Sequence, residues 1–458
     1  MARTPEQWLK RLAKALDARQ PQIKANRDYT EGRAPLPEMG KNLRESWEQF
    51  QKKSIRDFGG LAKGSLCDRM VPNGIRIGTV NDSPQLAAAR RIWRDNGLDV
   101  VIQDVLDDYI GTGYGYLVIG LDETGSAIVT REKPESFYAE PDAIRPWKAK
   151  AGIKVWRDDD ARTDFAKLLV AGHWYLYSRT STNTYGSFMQ AAWVENATGD
   201  TEWKLVSEGE YDGDPTIAIL SRKNGRGFVE PHHGAIDAIQ LGKLNRLVIT
   251  AMQAFRQRAL KKQKGADDLE TEDQDGNAID YRKEFSPAPG ALWDLPEGFD
   301  VWESNPTDIR SLLEGEKTDA RDFAALTRTP ISVFIPDGAN QSAEGAAAAK
   351  EGQISQAHAE IKRVSPALAV MLVYALRAEG VDLAGATLEV LWTPPEHVSL
   401  SEKNAAAAQA KAAGRSRVGI LRDIYGMSPD QIAQEELDLA EEQLSALTLV
   451  ASSGAAVA

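Results

Sequence analysis

Residues 232–264 place the strongest constraint on how this chain can fold, because their pattern is typical of one long amphipathic helix. No proline or glycine interrupts the run after Gly242, and good helix formers dominate it. At ~1.5 Å per residue, such a helix would extend roughly 50 Å, more than a compact domain usually needs. Its apolar side chains recur every three or four residues and share one stripe: Leu241, Leu244, Val248, Met252 and Phe255. One subunit could hardly cover this stripe, so we expect it to form an interface between subunits.

The opposite face of the predicted helix is basic. The segment has seven lysines and arginines and one acid, Asp237, in a chain of net charge -12. The cations expected on this face include Lys243, Arg246, Lys261 and Lys264. Such a face indicates a polyanion or an acidic neighbour. The helix predicted at residues 306–328 would supply carboxylates for the second possibility, namely Asp308, Glu314, Glu316 and Asp319.

The charge reverses in residues 265–305, which contain twelve acids against Arg282 and Lys283. A run of this kind is usually a solvated surface that needs no further explanation.

Composition and length indicate a soluble, acidic protein with two or more sub-domains, at 458 residues and a pI near 5.2. The single cysteine, Cys67, excludes an intramolecular disulfide. The N-terminus is charged and amphipathic, unlike a secretory signal. The longest apolar run, residues 364–376, is too short to cross a membrane, so we expect no membrane association.

The order of the predicted elements indicates an α+β fold. Helices dominate up to residue 110, strands follow from 116 to about 180, and short strands and loops continue to 230. Beyond residue 328 a turn-rich loop precedes a long Ala-rich helix, in which Pro366 predicts a break or a kink. A short strand and further helices complete the chain.

Three patterns resemble sites of chemistry without fulfilling their requirements. Residues 111–115 (Gly-Thr-Gly-Tyr-Gly) follow a helix and precede a strand, whereas a dinucleotide-binding loop follows a strand and opens a helix. His232 and His233 would point in different directions on a helix and lack further metal ligands. Residues 414–434 are spaced like a helix-turn-helix, but acids on its second helix would repel phosphate. We therefore expect no enzyme, no cofactor and no metal site.

Several motifs follow one another in an order that is characteristic of a family. They are Tyr29-Thr30-Glu31-Gly32, the turn from Asp108 to Gly113, Pro134-Glu135-Ser136-Phe137 with Asp142 beyond, the 232–264 helix, Thr329-Pro330, and Ser416-Arg417 in the final helix pair. In this order the chain resembles the portal proteins of tailed double-stranded DNA bacteriophages, of the siphophage type found in actinobacteria. The resemblance covers nearly the whole chain.

The resemblance implies a portal fold with an α/β wing, a long-helix stem, a small α/β clip and an α-helical crown. The wing would comprise residues 1–231 and 342–398, the latter with the long kinked helix and a strand. The stem helices would lie at 232–264 and 306–328, the clip at 265–305 and the tunnel loop region at 329–341. The crown would span 399–458 and end in a disordered tail.

The resemblance also implies a ring, expected to be dodecameric, at one capsid vertex of the virion and assembled in the host cytoplasm. Such a ring conducts double-stranded DNA during packaging and ejection without reading its sequence. Its other partners would be the terminase large subunit, the head-tail adaptor, and the major capsid and scaffolding proteins. The tunnel loop would line the channel with the basic stem residues, through Pro336, Asp337, Gly338, Ala339, Asn340 and Gln341. The motor and connector would dock on the clip acids Asp267, Asp268, Glu270, Glu272 and Asp273.

Two other classes remain open at this point. A head or tail component without a channel would also oligomerise, although a basic helix followed by an acidic insert disfavours it. A helix-turn-helix regulator would use residues 414–434, which the acidic second helix disfavours.

Overall fold

The computed structural model describes residues 3–38, 44–78, 83–181, 191–195, 197–254, 258–262, 299–303, 308–335, 343–396 and 400–454. Helices account for 53% and strands for 21%, so the predicted α+β class is confirmed. The chain divides into two compact units. The first unit comprises residues 1–34, 57–232 and 324–458, and the second comprises 35–56 and 233–323.

The α-helices are α1 (Pro5–Thr30), α2 (Arg44–Ser54), α3 (Phe58–Cys67), α4 (Pro84–Asp95), α5 (Leu98–Thr112), α6 (His233–Ala254), α7 (Arg310–Thr327), α8 (Ala343–Ala378), α9 (Leu400–Ala412), α10 (Arg417–Asp423) and α11 (Pro429–Gly454). The strands are β1 (Pro72–Ile77), β2 (Tyr114–Leu121), β3 (Ala127–Glu132), β4 (Phe137–Pro141), β5 (Ala149–Asp158), β6 (Thr163–Val170), β7 (His173–Thr180), β8 (Lys204–Glu210), β9 (Ile217–Ser221), β10 (Arg258–Lys262), β11 (Phe299–Glu303) and β12 (Leu388–Trp392).

The five-stranded sheet of the first unit is antiparallel throughout, in the order β4-β5-β6-β7-β8. Helix α1 covers it, because its apolar residues recur at helical spacing and form one face. Leu9, Leu12 and Leu16 of that face belong to the same buried cluster as Ile153 and Leu168 of the sheet. The apolar face of the helix, which repeats every 3.6 residues, and that of the strands, which repeats every 2 residues, therefore pack together in one core.

A three-stranded antiparallel sheet, β3-β2-β9, continues the first unit beyond α5. The chain passes from α5 to β2 through Gly113, whose φ is +92°. A β-carbon there would lie 2.6 Å from the carbonyl oxygen of Gly225, so only glycine fits. The glycine-rich residues 111–115 thus form a tight helix-to-strand turn, as their order in the sequence predicts.

Helix α8 runs through Pro366 as one helix from Ala343 to Ala378, so of the break or kink predicted there, a break does not occur. Proline cannot donate the usual backbone hydrogen bond at this point. The neighbouring Ser365 hydroxyl donates to the Ile361 carbonyl oxygen at 2.7 Å and accepts from the Trp392 indole at 2.9 Å. These contacts anchor the helix to β12 next to the proline.

The helix predicted at 232–264 is wrong at its C-terminal end. Helix α6 ends at Ala254, and β10 then pairs antiparallel with β11. With 22 residues, α6 is ~33 Å long at the usual rise. Pairing with a strand some forty residues later overrides local helix propensity, which is a weak preference. Helix α7 begins at Arg310, close to its predicted start, and the predicted clip lies outside the described residues except for β11.

An ionic network holds α1, α5 and β3 together inside the first unit. The Asp108 side chain is fully buried on α5 and accepts from Arg131 of β3 through two hydrogen bonds, at 2.6 and 2.8 Å. Arg27 of α1 donates to the same carboxylate and, at 2.7 Å, to Glu135. A buried carboxylate is tolerated only when it is paired and hydrogen-bonded, and Asp108 satisfies this condition with two guanidinium groups.

The protonation of the network follows from these contacts. Burial by itself lowers the pKa of Arg27, but the charges of Asp108 and Glu135 outweigh it and raise this pKa above its ordinary value. The hydrogen bond to Asp108 is the largest contribution that raises the pKa of Arg131. Both arginines therefore remain charged at any pH at which the protein is folded.

We predict that Asp108→Asn will lower the free energy of unfolding by ~3–5 kcal/mol, because it leaves two poorly solvated arginines without their carboxylate. The matched control is Asp104→Asn, since Asp104 is half-exposed and contacts Arg131 at 3.1 Å from the edge of the network. We expect the control to cost less than ~1 kcal/mol. Urea denaturation measures both, and equal losses would contradict a central role for Asp108.

Candidate functional site

The basic face of α6 is partly neutralised within its own chain. Arg246 donates through Nε to Glu316 Oε1 of α7 at 2.5 Å. Their side chains are only 17% and 20% exposed, so solvent screens this pair less than a surface pair. This contact is the intrachain pairing that the sequence left open as an alternative to DNA contact.

Glu316 is the predicted carboxylate that pairs with the basic face. Asp308 and Glu314 instead contact arginines of α7 itself, Arg310 at 3.1 Å and Arg321 at 3.4 Å. The fourth acid, Asp319, has its carboxylate beside α6, since a β-carbon at Gly242 would lie 3.7 Å from its Oδ2. Two of the four acids therefore face α6 and two contact arginines of α7.

Lys243 lies one helical turn before Arg246 in a crowded cationic environment. Burial lowers the pKa of Lys243 below its ordinary value, and the charges of Arg56 and Arg246 lower it further, while Glu316 acts in the opposite direction. Lys243 therefore lies near two other cations, Arg246 of α6 and Arg56 of the segment that follows α2. Arg56 was missed by sequence reasoning because nothing in the local pattern indicates that it lies near α6.

Of the other predicted channel residues, only Lys261 lies within the described ranges. Lys261 is exposed on β10, where it is in register with Asp300, so the prediction that it shares a helical face with Lys243 is wrong. Lys264 lies outside the described residues, as do the tunnel loop residues Pro336, Asp337, Gly338, Ala339 and Asn340, together with Gln341. The proposed docking acids of 267–273 also lie outside them.

The apolar stripe of α6 divides into a covered and an uncovered part. Leu244 is buried within its own chain and Val248 is half-buried, whereas Leu241 remains 43% exposed. Met252 and Phe255 belong to the part whose side chains are not described. The second unit also exposes Leu313 of α7 (39%) and Trp302 of β11 (54%). Large apolar side chains are thus exposed on both long helices and on the hairpin.

The two other patterns in the sequence have structural explanations. The arginines before α11 contact acids: Arg415 and Arg422 contact Asp423, and Arg417 contacts Glu435 at 3.2 Å. They are therefore poorly placed to contact DNA phosphates. Within the described ranges, no group of three or more His, Cys, Asp or Glu side chains could hold a metal ion. In the same ranges no helix is both long and apolar enough to cross a membrane.

Comparison with known proteins gave matches among solved structures. No protein-family model matches the chain, and no curated protein matches it. The chain is similar to a chain in the virion of a native gene transfer agent particle, at 17% identity and a TM-score of 0.43 over 89% of this chain and 99% of that one. A second similar chain lies in the neck of the native particle, computed with C12 symmetry. Its identity is 16% and its TM-score 0.43, over 89% of this chain and 99% of that one. A third lies in the neck of the empty particle, computed with C6 symmetry. Its identity is 16% and its TM-score 0.42, over 89% of this chain and 100% of that one.

We predict opposite stability effects for the two cations of α6. Arg246→Gln should lower the free energy of unfolding by ~1–2 kcal/mol, because Glu316 then loses its charged partner in a poorly solvated position. Lys243→Gln should raise the melting temperature at neutral pH, because it removes repulsion from Arg56 and Arg246.

The pH dependence tests the second effect. The folded-state pKa of Lys243 lies below its unfolded value, so its charge opposes folding at neutral pH, and this penalty disappears as pH rises through the folded pKa. The stability advantage of Lys243→Gln should therefore shrink between pH 7 and roughly 10. An advantage that grows with pH would contradict the cationic cluster.

Proposed function

We propose that this chain is the subunit of a phage portal ring and not an enzyme. The ring would lie at one capsid vertex of the virion, conduct double-stranded DNA during packaging and ejection, and serve as the docking platform for the terminase motor and the head-tail connector. The order of the motifs along the chain supports this proposal. The single observation that carries it is the exposure of Leu241 and Leu313 on the two long helices of the second unit.

The exposed leucines support assembly because α6 and α7 each leave a large apolar side chain uncovered within the chain, and contact with another copy would bury it. Among its described residues, the second unit contains α2, α6, most of α7 and the β10-β11 hairpin. In a closed ring, one surface of each subunit packs against a different, complementary surface of the next subunit, and such a contact would cover these helices.

The charge distribution supports weak contact with DNA. Each phosphate contact adds affinity that falls with salt, so a conduit gains from having few such contacts. Arg246 is paired with Glu316, which leaves Lys243 as the less compensated of the two lysine and arginine residues of α6. In a chain of net charge -12, attraction to DNA would then be local and modest.

We predict that Leu241→Asp will prevent ring assembly, because it places an unpaired carboxylate in an apolar contact. Leu241 is preferable to Leu244, whose substitution would disturb the packing of the subunit itself. The matched control is Leu121→Asp, at the end of β2, where the side chain is 52% exposed. Negative-stain microscopy and light scattering should show rings with a central hole for wild type and control only. Intact rings for Leu241→Asp would contradict the stem interface, and particles without a hole would favour a structural component that has no channel.

We predict that neutralising the docking acids will separate assembly from docking. The substitutions are Asp267→Asn, Asp268→Asn, Glu270→Gln, Glu272→Gln and Asp273→Asn. Rings should form normally while attachment of the motor or adaptor falls, because long-range attraction and orientation depend on these charges. Neutralising exposed acids of α11, such as Glu436, Asp438, Glu441 and Glu442, should leave attachment unchanged. If the variant neutralised at residues 267–273 attaches the motor and adaptor normally, the acidic run serves only to keep the surface soluble.

A further inference from the structure

A pocket of about 330 Å³ lies in the first unit, between the loop that follows β9, the end of α7 and the side of α8. The loop residues that line it run from Arg222 to His232, and Leu326, Arg328 and Gln356 complete the wall. We call the cations Lys223, Arg226 and Arg328 with this cavity the basic pocket. None of its residues belongs to the predicted channel or docking sites.

The basic pocket is rich in positive charge that is poorly compensated. Lys223, Arg226 and Arg328 are all exposed, and no carboxylate-bearing residue lines the cavity. For Lys223 and Arg328, the described residues provide no carboxylate oxygen within 4 Å. Arg226 has Glu230 at 3.9 Å, but that carboxylate already accepts from Gln22, Asn26 and the Gly227 backbone.

Arg222, in the same loop, differs from these cations because its charge is compensated. It donates to Glu360 at 2.8 Å and to the Arg226 carbonyl oxygen at 3.1 Å, so its guanidinium holds the loop in place. The neighbouring cations are therefore presented by a fixed backbone.

The backbone at Arg328 is in an unusual conformation for this residue. Its φ is +53°, in the left-handed region, directly after the end of α7. The Thr329 amide donates to the Ala324 carbonyl oxygen at 2.9 Å, which is the helix-ending motif in which glycine is strongly preferred. Strained positions of this kind are concentrated at functional sites. The chain thus places an arginine where glycine would be more stable, and the side chain borders the basic pocket.

The chemistry of the basic pocket fits a phosphate group. Arginine forks bind phosphate oxygens through paired hydrogen bonds, and lysine adds a compact positive charge. A protein partner would usually be met by aromatic or apolar anchors, with arginine enriched and lysine depleted. Here Leu326 at the rim is the exposed apolar side chain among three exposed cations. The balance of these residues favours a polyanion backbone over a protein segment.

We infer that the basic pocket contacts backbone phosphates of double-stranded DNA, without reading base sequence, and that Arg328 makes the main contact. The identity of the polyanion rests on the proposed function. The inference that the basic pocket binds phosphate depends only on the residues that line it.

The test compares Arg328→Gly with wild-type rings. Fluorescence anisotropy with a labelled duplex of mixed sequence gives affinity between 50 and 200 mM salt. We expect Arg328→Gly to weaken binding and to reduce the slope of log affinity against log salt by ~0.9 for each phosphate that the arginine neutralises in wild type. Its melting temperature should stay equal or rise, because glycine suits the left-handed conformation. Lys223→Gln should weaken binding to a smaller degree.

The matched control is Arg94→Gln, an exposed arginine of α4 outside the basic pocket, which should leave the salt slope unchanged. If wild-type rings bind duplex and Arg328→Gly binds with the same affinity and slope, the inference is overturned while the proposed function stands. If wild-type rings bind no duplex, but calorimetry with inorganic phosphate shows binding that Arg328→Gly abolishes, the proposed function and the DNA source fail and the phosphate chemistry stands. If Arg328→Gly prevents ring formation instead, the basic pocket holds an acidic segment of a second copy, which also overturns the inference.

Discussion

The first unit depends on the neutralisation of one buried carboxylate. Asp108 has no exposed surface, and without Arg27 and Arg131 its charge would oppose folding. The two arginines come from α1 and β3, so the pairing ties both elements to α5. Two motifs of the portal resemblance meet here, because Asp108 opens one and Glu135 belongs to another, and Arg27 lies two residues before a third. These motifs therefore have a structural role before any role in DNA handling.

The second unit uses charge differently. Arg246 is paired with Glu316, whereas Lys243 is under the repulsion of two neighbouring cations, Arg56 and Arg246. The paired arginine stabilises the contact between α6 and α7. In the proposed function, Lys243 is the cation of this helix that would meet phosphate. The basic pocket repeats this division, with Arg222 fixed by Glu360 and Arg328 exposed.

Local pattern was sufficient where neighbours along the chain decide the structure. The capping box of Thr4 and Gln7 starts α1, and alternation of apolar residues gives the strands of the large sheet. The prediction that the helix continues to Lys264 is wrong because β10 pairs with β11, which lies some forty residues later in the chain. No pattern within the segment itself indicates that pairing. Likewise, Arg222, Lys223 and Arg226 form a visible basic cluster, but Arg328 joins it only through the fold.

The sequence by itself determined the α+β class, the amphipathic character of α6 and the opposition between its basic face and the acids that follow. These are properties of residue order and periodicity, which the backbone geometry of helices and strands translates directly. Only the tertiary structure decided which side of the apolar stripe is covered, leaving Leu241 exposed and Leu244 buried. It also decided which cations are compensated. Burial and pairing depend on partners that are distant along the chain, and a single amphipathic pattern fits several such partners equally well.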